Sequence, residues 1–468
     1  MDLTFPTLFS DLERHGERTA LWGAHNLSYR ALAALADKVA RDVAPRSLVF
    51  CLCQNQIESI AGYIGFIRRQ AVPVLLSHSI DPILLNTLID IYRPQHLYRR
   101  QAGPYELVPT GHSAIPLHPS LSLLLSTSGS TGSPKLVRLS TKNLVSNAQA
   151  IVQYLGVSPS DRAITTLPSH YSYGLSILHT HLLVGAGVIL TEFSIVQGEF
   201  WNALKVHEAT SFGGVPYTYE MLRRLRFEKM NLPSLRMLTQ AGGRLAPALV
   251  EEYSRVCGEK GIRFVPMYGQ TEATARMAFV PTDRLPEKAG AIGLPIPGGE
   301  FWLESSTGSR IEGASEEGEL VYRGENVCLG YAESRADLSS GDVFGGVLRT
   351  GDIATRDTDG FYRIVGRKSR FLKVFGNRVN LSDLETILSS AGFDCACAGT
   401  DDRVKVYGTE TSSRELILKL LAERTGLHPS AFQFQAREKI PRGANGKILY
   451  NELELADPNT HVQLRKMA

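Results

Sequence analysis

The chain has 468 residues, 43% hydrophobic and 21% charged, which is ordinary for a soluble globular protein and sufficient for roughly two to four domains. Its formal net charge of +3 is too small to argue for nucleic acid or an anionic membrane surface as a partner. No apolar run approaches the ~20 residues of a spanning helix, the N-terminus lacks a secretory pattern, and six cysteines in no metal-binding spacing read as reduced thiols, so a cytoplasmic protein is expected.

In chain order, the first hundred residues alternate helical and strand patterns. Leu32–Val43 has the spacing of an amphipathic helix, Ser47–Leu52 reads as a buried strand, Ile57–Arg69 as a helix and Val72–Leu76 as a strand. This rhythm implies parallel sheet covered by helices. The apolar run Leu121–Leu125 then breaks into TSGSTGSPK. Gly129 and Gly132 permit close backbone approach to a ligand. Thr127, Ser128, Ser130, Thr131 and Ser133 supply hydroxyls and Lys135 a positive charge, a combination suited to a polyphosphate. The spacing is not that of a Walker loop, because no Gly precedes Lys135 and no Ser or Thr follows it. A helix over 141–155, with Thr141 as N-cap, comes next.

Further on, Ala163–Leu167, the turn Pro168–Gly174 (PSHYSYG), an apolar helical segment and Gly187–Thr191 continue the pattern. Thr210–Tyr217, Met237–Gly243 and Phe264–Gln270 are short apolar strands that end in Gly or Pro with polar residues beyond. In open α/β sheets, ligands sit beyond such carboxyl ends, which suggests one shared pocket. From about Gly293 helical periodicity fades into short strands, and a compact α+β section follows Arg367. The predicted fold is therefore α/β. Residues 1–367 form a large domain of mostly parallel sheets with helices and a small distorted β region, and 368–468 form a small α+β domain.

Four more signals join the loop: Tyr268-Gly269-Gln270-Thr271-Glu272, Thr350-Gly351-Asp352, Gly366-Arg367, and the C-terminal PRGANGK ending at Lys447. In this order they resemble the ANL superfamily of adenylate-forming enzymes, which includes acyl- and aryl-CoA synthetases, non-ribosomal peptide synthetase adenylation domains and luciferases. The resemblance implies an enzyme in which a carboxylate attacks the α-phosphate of ATP to give an acyl-adenylate, and a phosphopantetheine thiol then displaces AMP. It places Thr127–Gly132 and Lys135 on the β- and γ-phosphates, Glu272 on Mg²⁺, and Tyr268 beside the adenine within the Tyr268–Thr271 nucleotide segment. Asp352 and Arg367 fall on the ribose. Lys447 falls between the reacting carboxylate and the α-phosphate, where a cation stabilises developing charge. Two departures stand out: Leu136 where the family has Gly, and Ser369 at a hinge usually occupied by Asp or Lys.

By the same resemblance the acyl pocket involves His170, Tyr171, Phe212 and Gly242, with Tyr173 and Tyr217 as further aromatic walls. No acid lies between Leu167 and Gly187, and Ser172 stands where amino-acid-activating relatives carry aspartate, which disfavours α-amino acids. An aryl or aliphatic small-molecule acid is expected. The acceptor is coenzyme A or the phosphopantetheine arm of a separate acyl or peptidyl carrier protein, since the chain ends soon after Lys447 with no carrier domain. Transfer of the adenylate to an amine, and a silent nucleotide-binding homologue, are the alternatives.

Overall fold

The computed structural model describes residues 8–455 except 24, 127–134, 375–376, 401–402, 410 and 444–447. The described residues divide into two compact units, the first within 1–129, 133–301 and 321–348, the second within 302–320 and 349–468.

The first unit holds two large sheets. One runs, edge to edge, Tyr331–Ala332, Leu136–Ser140, Leu121–Ser126, Val72–Ser77, Leu48–Cys53, His96–Arg100 and Tyr105–Pro109. Its centre is parallel, with Leu48 opposite Val72 and Val74 opposite Leu124. These strands are apolar at nearly every position because both faces are covered, and every residue of Leu48–Cys53 is buried. The helix Ile57–Arg68 packs there, and Gly65 lets it lie close to its neighbour: a Cβ at that position would sit 2.2 Å from the Ala36 carbonyl oxygen. The neighbouring helix spans Tyr29–Val39 rather than starting at Leu32, because Ser28 caps it by accepting from the Ala31 N–H at 3.2 Å. The helix Thr141–Leu155 likewise starts one residue beyond its cap, which is Ser140 and not Thr141. Ser140 and Asn143 form a reciprocal capping box.

The second sheet runs Leu294–Pro295, Ala278–Phe279, Arg263–Tyr268, Met237–Gln240, Ser211–Gly214, Arg162–Ile164, Gly187–Ile189, Thr19–Trp22 and Leu27–Ser28. Gly213, Thr239 and Val265 are in parallel register, so three strands end side by side and deliver Val215, Gly242 and Tyr268 to one edge. That shared edge is the one the sequence pattern anticipates.

Arg138, on the strand Leu136–Ser140, is fully buried without an acidic partner. Its guanidinium instead donates to the carbonyls of Tyr331 at 3.0 Å, Leu329 at 2.9 Å, Gly341 at 3.1 Å and Ser340. All six cysteines are buried free thiols.

In the second unit, the strands Val347–Arg356 and Tyr362–Arg367 pair antiparallel with Asp352 opposite Arg367. They form the end of a five-stranded sheet that continues through Gly318–Arg323 and Glu300–Glu304 to Arg310–Ile311. Beyond them, a three-stranded sheet of Cys395–Thr400, Arg403–Gly408 and Phe432–Ala436 packs against the helices Leu381–Ser390 and Arg414–Thr425 through Leu384, Leu388, Ile417 and Leu421.

Candidate active site

The strand Arg263–Tyr268 leads directly into the Tyr268–Glu272 motif. At Gly269 any side chain is excluded, since a Cβ would lie 1.7 Å from the Ala275 oxygen. A single 3₁₀ turn, Thr271–Ala273, carries Glu272. Thr274 follows at φ +67°, ψ −57°, and the Ala275 N–H donates to the Ala273 carbonyl at 2.7 Å, which defines a γ-turn. For a β-branched residue that backbone costs about 1–3 kcal/mol and persists only where its surroundings enforce it. Asn326, buried at 3% exposure, is the enforcing residue. Its Nδ2 donates to the Ala273 carbonyl at 2.9 Å, its carbonyl accepts from Thr274 Oγ1 at 2.8 Å, and its Oδ1 accepts from the Tyr322 hydroxyl at 2.8 Å. The Cys328 N–H also donates to the Glu272 carbonyl at 2.8 Å. Glu272 is thus displayed from a turn held on both sides.

Tyr331 joins two residues that are far apart in sequence. Its hydroxyl donates to Glu272 Oε1 at 2.7 Å, and Lys135 Nζ lies 4.0 Å from its ring centroid. Burial and the neighbouring Glu272 carboxylate push its phenol well above the usual range, so it remains a donor at neutral pH. The strand Tyr331–Ala332 pairs with Leu136–Ser140, placing Tyr331 opposite Val137 immediately after the loop. If the chain forms acyl-adenylates as the resemblance implies, Tyr331→Phe is expected to lower acid-dependent pyrophosphate–ATP exchange about 10-fold, as for loss of one hydrogen bond to a charged group, and to alter its Mg²⁺ dependence. A Mg²⁺ titration of the variant matching the parent would refute this link.

Ser172 begins the helix Ser172–Val184, and its Oγ lies 3.2 Å from Thr271 Oγ1, which ties the PSHYSYG turn to the Glu272 motif. Tyr171 and Tyr173 lie edge to face at 6.3 Å. A Cβ on Gly242 would sit 2.5 Å from the Tyr171 hydroxyl, and one on Gly213 would sit 2.8 Å from that of Tyr173. Burial pushes the Tyr171 phenol up to about 12, against the pull of the Arg276 charge. Arg276, 2% exposed, lies with its guanidinium carbon 3.8 Å from the Tyr173 ring centroid. Phe212 packs edge to face on Phe200 and Trp201, and Tyr217 is 55% exposed; neither ring is grouped with Tyr171 and Tyr173.

His170 is half-buried, and burial together with nearby His78 holds its imidazole down to about 4. His179, on the same helix as Tyr173, bonds the Tyr63 hydroxyl at 2.8 Å and is held by burial at about 3. Both depressed values mean that the unfolded chain binds more protons below the ordinary 6.5. Their stability contribution is complete above that value and is lost as pH falls toward 4 and 3. The slope rises from half of about 1.4 kcal/mol per pH unit for each histidine at pH 6.5 toward its full value, so the fold should lose roughly 3 kcal/mol between pH 6.5 and 5. Urea denaturation at the two pH values measures this, and equal midpoints would contradict it.

In the second unit, Arg367 Nε donates to Asp352 Oδ1 at 2.7 Å, with the Asp352 side chain 3% exposed and that of Arg367 55%. Ser369 lies in the 3₁₀ turn Lys368–Arg370, directly after the strand Tyr362–Arg367. Thr127–Gly132 and Lys447 lie outside the described residues. The segment containing Lys447 is bracketed by a bridge between Arg442 and Ile448 and by a 2.9 Å hydrogen bond from the Leu449 N–H to the Pro441 carbonyl.

Residues 89–332, more than half of the chain, match the family model described as AMP-binding enzyme. The chain belongs to this family, within the ANL superfamily. Among similar proteins, 2-succinylbenzoate–CoA ligase of Bacillus subtilis is 28% identical over 71% of this chain and 68% of its own length. The L-proline–[L-prolyl-carrier protein] ligase of Pseudomonas fluorescens is 26% identical over 92% and 88%. The solved structure of O-succinylbenzoate coenzyme A synthetase from Bacillus subtilis, in complex with ATP and magnesium ion, shares the fold. It has a TM-score of 0.80 at 22% identity, covering 96% of this chain and 99% of that one.

For an AMP-binding enzyme, the metal requirement fits the residues present. Among the described residues no three His, Cys, Asp or Glu side chains gather into a metal cage. The Glu272 carboxylate, oriented by Tyr331, suits Mg²⁺, which keeps several waters and binds mainly through one or two carboxylates and phosphate oxygens. No helix among the described residues is long and apolar enough to cross a membrane. Sequence reasoning did not single out Tyr331, Asn326 and Arg276, which contact Glu272, Ala273 and Tyr173 in turn.

Proposed function

We propose that this AMP-binding enzyme uses ATP to convert a small carboxylic acid into its acyl-adenylate, releasing pyrophosphate. It then passes the acyl group to a phosphopantetheine thiol of coenzyme A or a carrier protein. The observation that supports the reading is the Lys135–Tyr331–Glu272 arrangement, in which a cation lies over the ring of a tyrosine whose hydroxyl donates to a carboxylate.

A carboxylate is a weak nucleophile toward an anionic phosphate, so the protein's contribution is position and charge. Lys135 and the segment 127–132 hold the β- and γ-phosphates. Glu272 would hold Mg²⁺, which would neutralise phosphate charge when bound. Tyr268–Thr271 line the adenine and α-phosphate end, and the buried Asp352 carboxylate, oriented by Arg367, accepts from the ribose hydroxyls. His170, neutral at pH 7, and Tyr171 with Gly242 border the acyl group. Lys447 spans the reacting carboxylate and α-phosphate, and residues 368–468 turn about Ser369 between half-reactions. Relatives acting on 2-succinylbenzoate and ferulate support an aryl or aliphatic acid with coenzyme A as acceptor. The carrier-protein ligase, which aligns along 92% of the chain, supports a carrier protein as the second acceptor reading.

Acid-dependent pyrophosphate–ATP exchange across a panel of aryl, aliphatic and dicarboxylic acids tests the first half-reaction. Mass spectrometry of products with coenzyme A and a carrier protein offered together tests the second. Exchange with none of the acids would overturn the proposal.

A further inference from the structure

Two arginines of the first unit are almost wholly enclosed, and they are treated differently. Arg138 is 0% exposed and its donors meet four backbone carbonyls. Arg276 is 2% exposed, yet its Nε meets only the Met267 thioether sulfur at 3.3 Å. Its guanidinium carbon stacks 3.8 Å from the centroid of Tyr173, with the neutral Tyr154 phenol as a hydrogen-bond partner beside it. Among the described residues no carboxylate pairs with it. A ring face and a thioether offset only part of the desolvation of a guanidinium, and buried charges are as a rule paired. The chain therefore carries a buried positive charge whose partner is not supplied by the described residues.

That charge stacks on one of the aromatic residues of the proposed acyl pocket. Tyr173, beneath the guanidinium, neighbours Tyr171 and covers Gly213, and Tyr171 in turn covers Gly242. The Tyr173 hydroxyl is fixed by the Thr239 carbonyl at 2.7 Å, so the ring that supports Arg276 is itself immobilised. Asn147 holds the arginine backbone, accepting from its N–H at 3.4 Å and donating to its carbonyl at 2.8 Å. A planar guanidinium in a fixed position is suited to two-point recognition of a carboxylate or sulfonate.

We infer that Arg276 pairs with a second anionic group on the substrate, so that the acid activated is a dicarboxylate or a sulfonated carboxylate. This rests on the adenylation reading, in which Lys447 already serves the reacting carboxylate and a second cation has a second charge to meet. The same buried positive charge repels an α-ammonium and disfavours amino acids.

The test is pyrophosphate exchange with matched acids: hexanoate against hexanedioate, 3-phenylpropanoate against 3-(2-carboxyphenyl)propanoate, and each against its terminal sulfonate analogue. The parent enzyme should favour the dianionic member in kcat/KM by roughly 10²-fold or more, as sites built for a polar partner do. Arg276→Met should reduce that preference to less than about 10-fold, and Arg276→Lys should retain part of it, with the KM for ATP unchanged in both. The preference of the parent enzyme decides the matter even if Arg276→Met does not fold. Exchange that is stronger with the monoanionic acids, or an equal loss on both members in Arg276→Met, would overturn this inference while leaving the adenylation reading intact. Exchange with no acid at all would overturn both.

Discussion

Lys447→Ala is expected to reduce acid-dependent pyrophosphate exchange by roughly 10²–10³-fold, the scale of removing one group aimed at transition-state charge. Thioester formation from a supplied acyl-adenylate should fall by less than about 10-fold, because that step no longer brings a carboxylate against a phosphate. The fold should survive, since the anchors of the surrounding segment lie elsewhere. Arg442 bridges to Ile448, and Tyr450 places its hydroxyl 3.0 Å from Glu385, a carboxylate also gripped by Arg370 at 2.8 Å. Single-turnover assays of the two half-reactions, alongside thermal melting, measure all three quantities. Equal losses in both halves would show that the lysine has a different role.

Arg138→Met is expected to have the largest effect on stability. The substitution removes the donors that meet the carbonyls of Leu329, Tyr331, Ser340 and Gly341, leaving several of these acceptors buried and unsatisfied. Each such group costs about 1–3 kcal/mol, so a total near 4 kcal/mol and a fall of roughly 10 °C in Tm are expected. Lysine is no substitute, since a point charge cannot address carbonyls in a planar fork. Because the same guanidinium holds the Tyr331 carbonyl, the damage should extend to Glu272, and residual exchange activity should change its Mg²⁺ dependence. A loss below about 1 kcal/mol in urea unfolding would mean that water replaces the guanidinium.

What could be read in the sequence depended on whether a residue's meaning was local. Glu272 closes a five-residue motif at a strand end, and the structure places it on a turn just after that strand. The helices over 57–68 and 141–155 were legible because apolar spacing and caps are properties of contiguous chain. The cap at Ser28 went unread because the first apolar residue, Leu32, was taken as the helix start, and at the second helix the hydroxyl of Thr141 was taken for the cap that Ser140 supplies. Arg276 sits in TARMAF, where nothing local distinguishes a buried guanidinium from a solvated one. Its meaning comes from Tyr173, more than a hundred residues earlier. Phe212 has the opposite difficulty. An aromatic beside Gly213 and Gly214 reads as a pocket wall, but strand alternation sends Gly213 toward Tyr173 while Phe212 meets Phe200 and Trp201.

Leu136, which departs from the family pattern, is fully buried and pairs with both Ser126 and Ala332. The two ends of the segment 127–135 are therefore stitched together by a ladder that exists before any nucleotide arrives. Bringing loop ends together is the entropic penalty that a floating loop meets at each binding event, and it grows only by about 0.6 kcal/mol for each doubling of length. Here that loss is incurred once, during folding. Variation in the length of the segment between these two strands should therefore trouble the fold far less than a polar residue in place of Leu136.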